Sequence, residues 1–166
     1  MKLVPVDPTN KAHVRFLWRL LRTRPAEARV SHDGKTTWKQ HCFFVATHPY
    51  YDWCLIEVGK SGSWWRPWEK RWPRFAGSVF LSQPARPSVV GDELHVELAK
   101  KYRGTGLAAE ALYRLMHKHP RRRYIANVAT HNEASRKFFE RCGFEHCQHT
   151  LEFVPAPGTA LWINGE

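Results

Sequence analysis

The chain has 166 residues, 43% apolar and 25% charged, a balance that argues for one compact domain spanning 1–166 and against disorder. No stretch reaches the roughly 20 consecutive apolar residues of a membrane span. The opening MKLVPVDPTN lacks the apolar core of a secretory signal, and four cysteines without a CxxC pair fit a reduced, cytoplasmic protein. The net charge of +11 favours anionic partners: nucleic acid, a phosphorylated small molecule or a polyphosphate cofactor.

Residues 1–6 read as a short edge strand, because Pro5 removes a ladder donor. Asp7 or Thr9 can cap a helix running to about Leu21, with Val14, Leu17, Leu20 and Leu21 at helical spacing. After the turn at His32-Asp33-Gly34, Thr36 or Thr37 can cap a second helix, Trp38 to Ala46. Tyr51 to Val58 and Arg74 to Ser82 read as hairpin strands. Between them, residues 59–73 form an insertion in which Trp64, Trp65, Trp68 and Trp72 alternate with Arg and Lys.

Asp92 to Leu98 alternates strictly: Leu94, Val96 and Leu98 face one way, and Glu93, His95 and Glu97 the other. A glycine loop follows, then a helix from about Gly106 to His117. A strand Tyr124 to Ala129, a helix Glu133 to Cys142 and a strand Phe144 to Phe153 complete the chain. The order β-αα-βββ-α-β-α-β predicts an α/β domain with a mixed sheet.

The loop Lys101-Tyr102-Arg103-Gly104-Thr105-Gly106-Leu107 joins a strand directly to an apolar helix. Its glycines let backbone N–H groups approach an anion at the positive end of that helix, although a plain structural turn has the same pattern. It lacks the Lys-Ser/Thr of a Walker loop and the third glycine of a dinucleotide fingerprint.

The pattern Lys101-x-x-Gly104-x-Gly106 resembles the acetyl-CoA motif of the GNAT superfamily of N-acetyltransferases, with Lys101 where Gln or Arg is usual. Asn127-Val128-x-x-x-Asn132-x-x-Ser135-x-x-x-Phe139-x-x-x-Gly143-Phe144 is similar to that family's second motif. The resemblance covers about Leu94 to Phe144 specifically and the earlier chain in architecture only.

The resemblance implies a mainly antiparallel mixed sheet, helices on both faces and central strands that splay apart. It implies that backbone amides around Leu98 and Lys100 hold the pantetheine arm of acetyl-CoA. Lys101 and the amides of Arg103, Gly104, Thr105, Gly106 and Leu107 would hold the pyrophosphate. Asn132 would reach the pantetheine arm, or serve simply as a helix N-cap, and Arg136 would face the adenosine phosphates.

The implied reaction is direct attack of an amine on the acetyl group, without an acyl-enzyme. It needs a neutral amine, an oxyanion donor and a proton for the leaving thiolate. Many relatives carry a Glu base where this chain has Asn127 and a Tyr acid where it has Phe139. Replacement bases are sought on the polar face of the strand before the loop: Glu97 first, then His95 and Glu93. A half-exposed strand would show the same alternation.

Cys142, His146, Cys147 and His149 do not follow a zinc spacing, and no metal is assigned. In this fold the first helices wall the acceptor site, which brings in His32, Trp38 and His41. Arg24-Pro25 through Ser31-His32, followed by a His41-containing helix and His48-Pro49, loosely resembles GNATs that acetylate amino groups on nucleotide-linked sugars, a small anionic acceptor. The Trp/Arg insertion leaves other readings open: an amine-bearing base of DNA or RNA, a homodimer contact, or a non-catalytic module binding CoA or nucleic acid.

Overall fold

The structure, a computed structural model, describes residues 1–28, 36–61, 72–82, 92–120 and 123–147. Their elements run β1 (Lys2–Pro5), α1 (Lys11–Arg22), α2 (Trp38–Thr47), β2 (Asp52–Ser61), β3 (Trp72–Ser82), β4 (Asp92–Leu98), α3 (Leu107–Lys118), β5 (Tyr124–Ile125) and α4 (Glu133–Arg141). The strands form one sheet in the order β1-β2-β3-β4-β5, antiparallel except for the parallel β4–β5 pair. Among the described residues, no helix is long and apolar enough to cross a membrane.

Strand alternation divides the core in two. On β2, Trp53 and Leu55 turn toward α1 and α2, where they meet Val14, Phe16, Leu17, Leu20 and Val45. Cys54 and Ile56 turn to the opposite face, against Ala111, Leu112 and Leu115 of α3. Leu94 and Leu98 of β4 join this second cluster, with Val96 packed beside it. Helices therefore cover both faces of the sheet.

Capping chemistry sets the helix ends. Asn10 caps α1 by accepting from the Ala12 N–H, in place of the expected Asp7 or Thr9. Asp7 is already engaged, accepting both the N–H and the hydroxyl of Thr9 in a tight turn. Thr37 and Gln40 form a reciprocal capping box at the start of α2. At the end of α4, Gly143 takes a φ of +87°, and the Phe144 N–H bonds back to the Phe139 carbonyl at 3.0 Å. The two rings pack 5.2 Å apart, so this Gly-Phe pair closes a helix rather than opening a strand. Residues 144–147 accordingly form no strand, and the remainder of the strand expected to 153 lies outside the described residues.

Two departures shape the site. The strand expected over 124–129 is only Tyr124–Ile125, paired to Asp92 and Glu93. Beyond it the backbone turns toward α4, where the Asn132 N–H bonds to the Ala129 carbonyl. β4 continues to Leu98 against β3 alone, which is the splay between central strands. The second departure is that β2 and β3 extend into the 59–73 segment, with Lys60 opposite Pro73 and Ser61 opposite Trp72. Residues 62–71, including Trp64, Trp65 and Trp68, lie outside the described residues, as does His32.

Candidate active site

At its C-terminal end β4 lies close against β3. A Cβ on Gly77 would stand 2.1 Å from the Glu97 carbonyl oxygen, so glycine is required there. The Ala99 N–H donates to the Ala76 carbonyl at 2.8 Å. This fixes the ladder phase: amides of His95 and Glu97 turn to β3, and those of Val96 and Leu98 turn to the side where β5 has ended.

Past Leu98 the chain makes a single turn over Lys100–Tyr102 and then the glycine loop. Gly104 and Gly106 have φ of +75° and +80°, the left-handed region that L side chains rarely adopt. No atom lies within 4 Å of a Cβ placed on either, so their lack of a side chain leaves open space above the loop. Gly106 caps α3, whose first amides receive no side-chain cap. Thr105 turns its hydroxyl back to the Tyr102 carbonyl, and the Arg103 Nε donates to the Leu98 carbonyl at 3.3 Å. An uncapped positive helix end beside Lys100, Lys101 and Arg103 suits a polyphosphate. Lys100, Lys101, Arg103, Gly104, Thr105 and Gly106 are exposed along this loop, Leu107 half-buried, and Leu98 buried at its start.

Two expected cofactor contacts have other partners. Asn132 is buried as the N-cap of α4, its side chain accepting from the Ser135 N–H at 3.1 Å. Arg136 lies on the exposed face of α4, ion-paired with Glu133 and Glu140. Its guanidinium is occupied within its own helix, the ordinary result of carboxylates at three- and four-residue spacing.

The polar face of β4 turns toward α1 and α2, and its three candidates sit in different surroundings. Glu97 is held by Arg24: Nε reaches one carboxylate oxygen at 3.0 Å, and Nη2 makes a shorter contact to the other. Their side chains are only 26% and 14% exposed. Burial alone would depress the Arg24 pKa, but the hydrogen bond and charge of Glu97 raise it above its ordinary value. His95 stacks on Phe80 at 4.7 Å, and Phe80 stacks on Tyr50 at 3.7 Å. Burial pushes the His95 pKa down to about 4, with the Arg24 charge acting in the same direction, so this imidazole is neutral at pH 7. Burial raises the Tyr50 pKa; the Arg24 charge opposes this and the Glu97 charge adds to it. Glu93 lies four residues back on β4, about 13 Å from Glu97 at the rise of an extended strand.

Sequence reasoning gave no site role to Arg24, Tyr50 or Phe80. Arg24 and Glu97 are 73 positions apart, and no spacing rule connects them.

The acceptor-wall residues are corrected in part. His41 is buried, its Nε2 3.0 Å from the Val14 carbonyl, and pins α2 to α1. Its place in the core excludes it from a solvent-facing wall. Trp38 is 45% exposed and stands edge-on to Trp18 at 5.5 Å. Phe139 packs with Phe138 and Phe144 beside α3, as a ring without a hydroxyl can.

The sequence profile of the Acetyltransferase (GNAT) family matches residues 27–144, more than half of the chain. The chain belongs to this family and is an N-acetyltransferase by class, in a family that generally uses acetyl-CoA. Solved structures share the fold at low identity. A ribosomal-protein-alanine N-acetyltransferase from Brucella melitensis has a TM-score of 0.63 at 16% identity, over 89% of this chain and 86% of that one. A mutant spermidine N-acetyltransferase from Vibrio cholerae has a TM-score of 0.64 at 16% identity, over 92% and 84%. An aminoglycoside antibiotic 6'-N-acetyltransferase from Acinetobacter haemolyticus has a TM-score of 0.61 at 11% identity, over 93% and 98%. No curated protein sequence matches.

Proposed function

We propose that this chain transfers an acetyl group from acetyl-CoA to a primary amine of a small anionic acceptor, such as an amino-sugar nucleotide, by direct attack. The observation that carries this reading is the partly buried pair of Arg24 with Glu97, the penultimate residue of β4 before the glycine loop. Acetyl-CoA supplies the activated acetyl group. Amides of Leu98 and Lys100 hold its pantetheine arm along the strand gap. The amides from Arg103 to Leu107, with Lys101, hold its pyrophosphate.

Arg24 and Glu97 divide the acceptor between them. An anionic group on the acceptor competes with Glu97 for the Arg24 fork, and the freed carboxylate takes the proton of the incoming amine. His95 stays neutral and presents an uncharged ring beside the pair. Tyr50, whose pKa burial raises from its ordinary 10.0, keeps its hydroxyl proton at neutral pH, and it is the proton donor in this reading, in place of Phe139.

Release of free CoA thiol, scanned over pooled amino-sugar nucleotides, polyamines, peptides and nucleic acids, tests the proposal. Activity confined to phosphate- or carboxylate-bearing amines is the expected result. Activity on polyamines alone would overturn the anionic acceptor. Gly104→Val should abolish acetyl-CoA binding in calorimetry, because a β-branched residue resists a φ of +75°.

A further inference from the structure

The outward face of α1 has no part in this site. Projected at 100° per residue, Trp18, Lys11, Arg22, Arg15 and Arg19 fall within one 100° arc. The core residues His13, Phe16, Leu17 and Leu20 lie opposite. The four cations are exposed, and the first turn of the helix holds no acidic residue. Among the described residues, none of the four makes an ion pair with a carboxylate.

A solvated helix face usually interleaves both signs. Here Lys11/Arg15 and Arg15/Arg19 repel at four-residue spacing, and Arg19/Arg22 at three, each destabilising the helix slightly. Polyanion binding would relieve this repulsion, and a helix row spaces its charges about 5–6 Å apart, comparable to successive phosphates of a single strand. Aromatic surface lies alongside. Arg22 sits over the Trp18 ring at 5.6 Å, and the half-exposed Trp38 stands edge-on to Trp18.

We infer that the outer face of α1 is a docking surface for single-stranded nucleic acid, with phosphates on Lys11, Arg15, Arg19 and Arg22 and a base stacked on Trp38. A stripe of four cations alone would serve any polyanion. The adjacent exposed indole is what favours a strand whose bases are free to stack. The inference does not depend on which amine is acetylated, because its four cations lie on the outward face of α1.

The test is fluorescence anisotropy of a short labelled oligothymidylate with the full chain, titrated at several salt concentrations. Four phosphate contacts predict a slope of log affinity against log salt of about −3. The double variant Arg15→Gln/Arg19→Gln should bind at least tenfold more weakly, with the slope reduced by about 1.4. It should melt no earlier than the parent, since it removes like-charge repulsion, so lost binding is separated from lost folding. Arg15→Lys/Arg19→Lys, which keeps the charge, should bind like the parent. Trp38→Ala should weaken binding roughly tenfold at an unchanged slope. Binding unaltered in the Gln variant would overturn the assignment to α1. Heparin or duplex DNA bound as tightly as the strand, and indifferent to Trp38→Ala, would overturn the single-stranded partner.

Discussion

Asp52 and Glu97 are carboxylates on this sheet held by cations, and they differ in what holds them. Asp52, at the start of β2, receives Lys118 Nζ and His119 Nε2, each at 2.6 Å, with the Cys54 thiol donating to its other oxygen. Both nitrogens come from the end of α3, so the cluster fastens that helix to the strand beneath it. Burial would raise the Asp52 pKa, but the bonds from Lys118, His119 and Cys54 outweigh it and hold the carboxyl below its usual range. Glu97, at the end of β4, has one side-chain partner among the described residues, Arg24, from the chain just after α1. One cluster is redundant and fastens a helix end to an interior strand. The other is a single two-pronged bond beside a strand gap. A ligand can open the second without unfolding anything.

The largest expected effect breaks the frame behind Glu97. Gly77→Ala places a methyl group on the Glu97 carbonyl, and backbone cannot yield as a flexible side chain does. Chemical denaturation should show a loss of about 3 kcal/mol or more, while Asp52 and its partners stay untouched. Next comes the chemistry. Glu97→Gln should lower turnover on the identified acceptor about 100-fold or more, with acetyl-CoA affinity in calorimetry nearly unchanged. Equal turnover would remove Glu97 as the base.

Acid sharpens the same contrast. Because the His95 pKa falls from 6.5 to about 4 on folding, the unfolded chain takes up a proton that the folded chain refuses. Stability from this group is intact above pH 6.5 and declines as pH falls toward 4, by about 3 kcal/mol in total. Urea midpoints measured across that window should flatten in His95→Phe, which keeps the stack on Phe80. Asp52→Asn should cost less, about 1–2 kcal/mol, since the half-exposed Lys118 regains water, and turnover per folded molecule should not change. The smallest effect belongs to Arg24→Lys. A point charge replaces the fork, so KM for an anionic acceptor should rise about tenfold with melting temperature barely shifted.

The contrast also marks what was legible in the chain. Alternation placed β4 at Asp92–Leu98 and separated its apolar and polar faces, because a period of two is local. The glycine loop was legible for the same reason: positive φ at Gly104 and Gly106 leaves its mark in residue type. The Arg24–Glu97 bond and the stack of Tyr50, Phe80 and His95 were not, since each joins distant segments that only the folded sheet brings together. His41 misled for a related reason. A polar residue in an apolar helix looks solvent-facing until its partner, the Val14 carbonyl on another helix, is known. The length of β5 escaped too, because strand propensity says where a strand can form and not where its neighbour leaves it.

That early ending at Ile125 has a mechanical meaning. Among the described residues, two ladder pairs, Asp92 with Tyr124 and Glu93 with Ile125, make the seam between β4 and β5. Past them, Phe139, Cys142 and Phe144 pack α4 against the α3 cluster, and the Tyr113 hydroxyl donates to the Cys142 carbonyl at 3.3 Å. Among the described residues, packing and one side-chain hydrogen bond, not a row of ladder bonds, tie α4 to α3 beyond Ile125. A molecule that threads between the strands and pairs with the amides of Val96 and Leu98 would finish the seam. Proton exchange at those two amides should slow on its arrival, while exchange along β2 stays as it was.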